Sequence, residues 1–144
     1  MKKQLAILLL AGGMLSGTAT VAQKVKTAPP AVLSALKAKY PQATKITWEK
    51  EKGNFEANWG GKSGEDMSVT FTPAGAFVEQ VEAITTAQLP QAAQTYVKAH
   101  YKGAKISEAG KVTDAAGKIS YEAEVKGKDL VFDDKGAFLK AEKE

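Results

Sequence analysis

Two glutamates, Glu122 and Glu124, are the residues whose types and spacing best suit catalysis or binding. They lie two positions apart in an alternating segment, so on a strand both side chains point to the same face. Paired carboxylates can exchange protons in catalysis, bind a cation or contact a basic partner. They are also common on solvated sheet faces, and the sequence favours that interpretation. We keep the pair as a candidate partner-binding site, not as a catalytic one.

The other possible motifs are incomplete. His100 is the one histidine of the chain and there is no cysteine, so a zinc site or a Ser-His-Asp arrangement is poorly supplied. Asp133 and Asp134 precede Lys-Gly as in a turn, without the alternating oxygen ligands and closing Glu of a calcium loop. The glycine-rich segment 60–64 contains Gly-Lys-Ser but lacks the spacing of a phosphate loop. We therefore predict no catalytic residue, no metal site and no cofactor.

The first 22 residues have the layout of a secretory signal peptide. Two lysines come first, an apolar run from Leu5 to Ala11 follows, and small residues lead to a predicted cut after Ala22. A membrane anchor is the alternative, but the run is shorter than the ~20 residues that span a bilayer. The sequence has no cysteine for lipid attachment. It predicts a single domain, residues 23–144, that is periplasmic or secreted and is not inserted in the membrane.

The distribution of charge argues against nucleic-acid binding, and the absence of cysteine rules out stabilisation by disulfides. All 20 basic residues are lysines, and the predicted mature chain carries 18 lysines against 16 acidic residues. The lysines are interleaved with acids instead of clustered, which argues against a nucleic-acid-binding surface. Without cysteine no disulfide can hold the domain together, so its stability must come from a core.

Two segments have the apolar spacing of amphipathic helices. One opens at Pro30 and ends at Tyr40, and its apolar residues recur every three or four positions. The other opens at Pro90 and ends at Tyr101. Proline suits the first turn of a helix, because its missing N–H would have no partner there.

Each predicted helix is followed by segments that alternate between apolar and polar residues, the pattern of strands with one dry face. The hairpin FTPAGAFV in the first half recurs as FDDKGAFL in the second. We predict an α+β fold of two tandem α-β-β-β(β) repeats, about 29–84 and 89–142, forming an antiparallel sheet. Both helices would pack on one face, and the other face would be open to water. Landmarks separated by 60 or 61 residues support the duplication: Pro30 and Pro90, Ile46 and Ile106, Phe71 and Phe132, and Gly75 and Gly136.

These residues resemble a known family. A signal peptide followed by two copies of a helix with proline, leucine and tyrosine, then I-x-W, then F-x-x-x-G-x-F, is similar to the PepSY-like, beta-lactamase-inhibitor-protein-like domains of bacterial envelopes. The second copy departs from the pattern at Lys102 and Glu108, which replace a proline and a tryptophan. The resemblance implies a tandem-repeat fold in the periplasm and the binding or inhibition of other proteins, and it implies no catalytic residue. The residues that carry it are Pro30, Leu33, Tyr40, Pro41, Ile46, Trp48, Phe71, Gly75 and Phe77, then Leu89, Pro90, Tyr101, Ile106, Tyr121, Phe132, Gly136 and Phe138.

Trp48 is the third candidate site residue. By spacing it corresponds to Glu108, so the position tolerates a polar residue, and an exposed aromatic on a sheet is a good anchor for a partner. Packing in the core is the other interpretation and the favoured one. Trp59, which corresponds to Val125, is predicted to be core.

Together these features predict a non-enzymatic binding module. Its open sheet face, with Trp48, Glu122 and Glu124, would engage another envelope or secreted protein, in one version as an inhibitor of a hydrolase or protease. The alternative is an envelope sensor that binds a small ligand or a cation on the acidic strand face. A carboxylate-based enzyme is the least favoured class, and the oligomeric state is left open.

Overall fold

The structure is a computed structural model that describes residues 22–143. The predicted signal peptide lies outside these residues, except for Ala22. Within the described range the chain forms nine strands, two α-helices and one short 3-10 helix. In chain order the elements are β1 (Gln23–Val25), α1 (Pro30–Lys39), β2 (Thr47–Glu51), β3 (Asn54–Trp59), β4 (Met67–Phe71), β5 (Phe77–Ile84), the 3-10 helix (Thr86–Gln88), α2 (Gln91–His100), β6 (Ile106–Asp114), β7 (Ile119–Val125), β8 (Lys128–Asp133) and β9 (Phe138–Lys143).

The strands are hydrogen bonded in the order of the chain, from β1 to β9. Pairs β1–β2, β2–β3, β3–β4, β6–β7, β7–β8 and β8–β9 are all antiparallel. The described chain divides into two compact units, residues 22–80 and residues 81–143, with the boundary inside β5. Each unit has one helix and a run of antiparallel strands. The predicted α+β fold of two tandem repeats is confirmed.

The core of the first unit lies between α1 and one face of its strands. Val32 and Leu36 are buried on the inner side of α1. The helix begins at Pro30 and ends where the N–H of Tyr40 donates to the carbonyl of Leu36 at 2.7 Å. The strand residues in the same apolar cluster are Trp48, Ala57, Trp59, Val69 and Phe71. The predicted packing of this helix on one sheet face is therefore confirmed.

The second unit repeats this arrangement with different side chains. Ala93 and Val97 are the buried residues of α2, and the N–H of Tyr101 ends the helix by donating to the carbonyl of Val97 at 2.8 Å. The strand residues of this cluster are Ala109, Ala123, Val125, Leu130 and Phe132. Each helix has ten residues, too few for stability in isolation, so packing on its sheet must hold it.

The nearly constant repeat spacing conceals local differences in length. A bulge at residues 106–108 gives β6 one more residue than β2 at the same point. As a result Trp48, which lies opposite Ala57, corresponds to Ala109, which lies opposite Ala123. The alignment of Trp48 with Glu108 by spacing alone was wrong, because a one-residue insertion reverses the face to which every later side chain points.

One strand is missed by sequence reasoning. Gln23–Val25 reads as a polar lead-in, but it forms β1 and pairs with β2, with Val25 opposite Trp48. Three residues are too few to display an alternating pattern, and the pairing depends on backbone groups that any sequence carries.

Candidate binding face

In each unit, the side of the sheet away from the helix is rich in carboxylates. In β3, Ala57 and Trp59 point toward α1, so Glu56 and Asn58 point away from it. Alternation in the other strands gives the same result. We call this side the carboxylate face of each unit. Its acidic residues are Glu49, Glu51, Glu56 and Glu79 in the first unit, and Glu108, Glu122, Glu124, Asp129 and Glu142 in the second.

Four acidic residues of the second unit form a row across neighbouring strands, and the outermost of them is Glu142 in β9, which lies opposite Asp129 in β8. Glu124 in β7 lies opposite Glu108 in β6 on one side and opposite Asp129 in β8 on the other. Glu122 lies two residues before Glu124 in β7, on the same face, and is opposite Val131. Like charges directly opposite each other destabilise a sheet unless other groups compensate them. The structure thus places Glu122 and Glu124 together on one face, as their spacing predicts.

The prediction that this face is open to water is wrong for the central carboxylates. Glu122 and Glu124 are 2% and 6% exposed. The sequence pattern suggested an all-polar face, but the buried valines Val81 and Val112 pack together there, with Val131 beside Glu122. Burying a carboxylate costs free energy unless other groups compensate it. The side chains of the two glutamates are therefore buried next to an apolar patch and are not exposed to solvent.

Glu56 is the most perturbed acid of the first unit. The pKa of its carboxyl group is raised to about 8, chiefly by burial and also by the charges of Glu49 and Glu51, while hydrogen bonds with Asn58 and Ser68 oppose the rise. Thr70 lies opposite Glu56 on β4, and its buried hydroxyl has no hydrogen-bond partner within the described part of the chain. Sequence reasoning did not single out Glu56, although the alternation of Phe55, Ala57 and Trp59 already placed it with Glu49 on the polar side.

Trp48 lies on the opposite side of the sheet from the carboxylates. It is 7% exposed and belongs to the cluster under α1, opposite Ala57 in β3. Its structural counterpart Ala109 is also buried. The favoured core interpretation therefore describes its environment, and the grouping of Trp48 with Glu122 and Glu124 on one face was wrong. The β6 bulge, which sequence spacing does not reveal, is the reason.

The remaining sequence candidates have local structural roles. His100 is exposed at the end of α2; its ring stacks on Tyr96 with 4.0 Å between centroids, and its Nδ1 lies 3.0 Å from the Tyr96 carbonyl oxygen. The Oδ1 of Asp133 accepts hydrogen bonds from the N–H groups of Lys135 and Ala137, at 2.9 and 2.8 Å. This is the side-chain bonding of an ordinary aspartate turn.

Residues 22–143 contain neither a metal-ion cluster nor a membrane-spanning helix. No group of three or more acidic or histidine side chains is arranged to hold a metal ion there. Nor does this part of the chain contain a helix with the length and apolar character needed to cross a membrane.

Comparison with known families identifies the class of protein. The model of the PepSY-like family, described as "Putative beta-lactamase-inhibitor-like, PepSY-like", matches residues 19–79 and again residues 63–140. The two matches overlap at residues 63–79 and together span most of the chain. The chain belongs to this family, a class of domains without an established enzymatic activity, and the resemblance noted in the sequence is confirmed.

Solved structures share the fold at low sequence identity. A "putative periplasmic" protein of Bacteroides eggerthii aligns with a TM-score of 0.71 and 24% identity, over 81% of this chain and 88% of that one. A DUF2874 family protein of Bacteroides uniformis aligns with a TM-score of 0.69 and 24% identity, over 80% and 88%. A BLIP-like protein of Bacteroides fragilis aligns with a TM-score of 0.62 and 23% identity, over 81% and 86%. Comparison with curated proteins gave no match.

Proposed function

We propose that this protein is a non-catalytic binding module of the bacterial envelope, and that the carboxylate face of its second unit binds a basic segment of another protein. The observation that carries the proposal is the row of Glu108, Glu124, Asp129 and Glu142, with Glu122 beside it. A row of carboxylates on one sheet face offers the charge pattern that a lysine-rich or arginine-rich segment recognises. The family description, and the periplasmic description of one solved relative, support the location and the class of function.

The burial of Glu122 and Glu124 defines how such a face would act. Their side chains are too enclosed to form a broad direct contact, so they form the floor of the site. A cation held at the rim would interact strongly with carboxylates below it, because charges in a low-dielectric environment are poorly screened. Glu108 is only partly buried and lies at the rim of the same row. A lysine or arginine of the partner would contact the rim while the floor supplies negative potential.

Inhibition is the form of binding suggested by the family description, which names beta-lactamase inhibitors. The partner would then be a hydrolase or a protease of the envelope whose surface presents a basic segment. Blocking such an enzyme requires only a stable complex, and no reacting group on this chain takes part.

The test compares proteins captured from an envelope extract by the wild type, by the double variant Glu122→Gln with Glu124→Gln, and by Glu82→Gln. Glu82 is an exposed acid on the α-helix side of β5, so its variant changes charge without touching the face. We expect a saturable protein partner for the wild type and for Glu82→Gln, at least tenfold weaker binding by the double variant, and weaker binding of all forms in high salt. Equal binding by all three proteins, or no saturable partner, would contradict the proposal.

The alternative function, a small-ligand or cation sensor, is favoured by the oxygen-rich surroundings of Glu56 in the first unit. Asn58, Ser68 and Thr70 share that face with it. A ligand that binds only the folded protein raises its melting temperature by mass action. A thermal shift with divalent cations or envelope metabolites that disappears in Glu56→Gln, together with an empty protein capture, would favour the sensor over the protein-binding module.

A further inference from the structure

Within residues 22–143, β9 is an end strand of the sheet. It stands last in the strand order, with β8 as its hydrogen-bonded neighbour, and it is six residues long. At the other end of the order, β1 has three residues. The backbone groups on the outer edge of an end strand can pair with a further strand, and proteins usually prevent this with charge or irregularity. The edge of β9 is therefore the longer of the two that could accept a strand.

β9 also carries the more exposed of the two large apolar side chains that stand out on the described surface. Leu139 is 45% exposed, and Leu33 on α1 is 39% exposed. Leu139 lies at an irregularity in the pairing of β9 with β8, where Phe138 lies opposite Phe132 but Lys140 lies opposite Val131. A bulge often protects an edge, but here it leaves a leucine exposed on the end strand of the described sheet.

The charges of β9 are self-complementary. Lys140 and Glu142 lie two positions apart and so share one face of the strand. Their Nζ and Oε1 atoms are 2.5 Å apart, and the side chains are 32% and 38% exposed. A strand with one positive and one negative charge on the same face can pair with an inverted copy of itself so that unlike charges meet.

Only one central register does this. When two identical strands pair antiparallel about a two-fold axis, directly opposite residues must point to the same face, so the axis passes through a residue. An axis at Lys140 places lysine opposite lysine, and an axis at Glu142 places glutamate opposite glutamate, both unfavourable. An axis at Ala141 places each Lys140 opposite Glu142 of the second copy.

We propose that two copies of this protein associate through their β9 edges, antiparallel, with Ala141 opposite Ala141 of the second copy. Two Lys140–Glu142 pairs form across the junction. Leu139 lies opposite Lys143 of the second copy, whose aliphatic stem covers the exposed leucine. The second copy thus complements three features of this edge. Its backbone groups pair with those of β9, its charges oppose Lys140 and Glu142, and its Lys143 covers Leu139.

A cysteine experiment tests the register directly, because the chain has no cysteine of its own. In an antiparallel pair, directly opposite Cα atoms are about 4.5–5.5 Å apart, within the range that a disulfide spans. We expect Ala141→Cys to form a disulfide-linked dimer at least tenfold faster than Lys143→Cys, which lies two residues from the axis on the same edge. Ala99→Cys, at an exposed alanine of α2, is the control for random collision. Cross-linking of Ala141→Cys at the rate of either control overturns the proposal.

A charge exchange tests the same interface without a covalent bond. We expect sedimentation of the purified protein to show a monomer–dimer equilibrium that weakens in high salt. Lys140→Glu and Glu142→Lys alone should each raise the dissociation constant about tenfold or more, since each places four like charges at the junction. The combined exchange Lys140→Glu with Glu142→Lys should restore dimerisation to within about threefold of the wild type, and Lys98→Glu on the exposed side of α2 should leave it unchanged. A wild type that stays monomeric at all concentrations overturns the proposal, and this is the result expected if the edge binds an extended peptide of another protein instead. A double exchange that dimerises no better than the single variants also overturns it.

Discussion

The ring of Tyr96 stacks on that of Phe138, with 4.4 Å between centroids and 7° between planes. Tyr96 belongs to α2 and Phe138 begins β9, so this contact joins the helix of the second unit to its last strand. In the first unit the equivalent of Phe138 is Phe77, and the helix covers it differently. The Nζ of Lys39 lies 3.6 Å from the Phe77 ring centroid. The two repeats thus attach helix to strand by aromatic stacking in one unit and by a cation–π contact in the other.

We expect Tyr96→Ala to lower the free energy of unfolding by roughly 2–3 kcal/mol, from lost apolar burial and lost stacking on Phe138. His100 stacks on the outer side of the same tyrosine and is exposed, so His100→Ala should cost under about 1 kcal/mol. Urea denaturation of both variants measures the difference. Equal losses would mean that Tyr96 does not join helix to strand.

Gly136 provides a second attachment of hairpin to helix. Its φ is +85°, and a Cβ there would lie 2.7 Å from the Cβ of Pro90 and 2.8 Å from the backbone N of Ala93. Gly117 has a similar φ of +80° but open space around it. We expect Gly117→Ala to cost about 1 kcal/mol, from backbone strain alone, and Gly136→Ala to cost about 2–4 kcal/mol, because the turn must also move away from α2.

Chemical denaturation of the two glycine variants separates strain from close approach. Gly75 is an independent check: a Cβ there would lie 2.6 Å from the carbonyl oxygen of Ala31, at the start of α1. Gly75→Ala should therefore behave like Gly136→Ala. If all three variants lost the same free energy of unfolding, the close approach of these turns to the helices would not contribute to stability.

At these glycines the sequence predicted the local turn but not the tertiary contact. The recurring Phe-x-x-x-Gly-x-Phe pattern places a glycine at 75 and at 136, the residue type that favours positive φ, and both φ values are positive. It did not predict that each turn packs against a helix start, since that contact joins segments more than 40 residues apart in the chain. Local conformation was available from residue types, but the tertiary reason for the glycine was not.

The candidate site was only partly predictable for a related reason. Period-two alternation correctly placed Glu122 and Glu124 on one face. Their burial depends on Val112 and Val131, which lie on the two neighbouring strands and meet this face only in the observed register. Trp48 was grouped with them because the extra residue in β6 is invisible to a comparison of spacings.

The core position of Trp48 leads to a prediction that separates stability from binding. We expect Trp48→Ala to lower the free energy of unfolding by about 3–5 kcal/mol, because it removes a large side chain under α1. Thr47→Ala, at the exposed neighbouring position, should cost under about 1 kcal/mol. Circular dichroism melts provide the measurement. A Trp48→Ala protein that melts like the wild type would show that this tryptophan is not in the core.

Glu56 gives the folded protein a characteristic pH dependence. Its pKa is about 8 in the folded protein, raised by burial from an ordinary value of 4.5, so the folded state holds a proton that the unfolded chain has already released. The stabilising contribution of that proton is complete below pH 4.5 and is lost as the pH rises through 8. The stability of the wild type should therefore fall relative to that of Glu56→Gln by on the order of 3 kcal/mol between pH 5 and pH 8.

Urea unfolding of the wild type and Glu56→Gln at pH 5 and pH 8 tests this directly, with Glu82→Gln as the control for loss of an exposed acid. At pH 8, Glu56→Gln should be the more stable protein, because the wild type then pays to ionise a buried carboxyl group beside Glu49 and Glu51. At pH 5, where the carboxyl group is protonated in the folded state, the two should be close. A difference that stays constant with pH would mean that Glu56 ionises at its ordinary value, and that a neighbouring positive charge already compensates it in the folded protein.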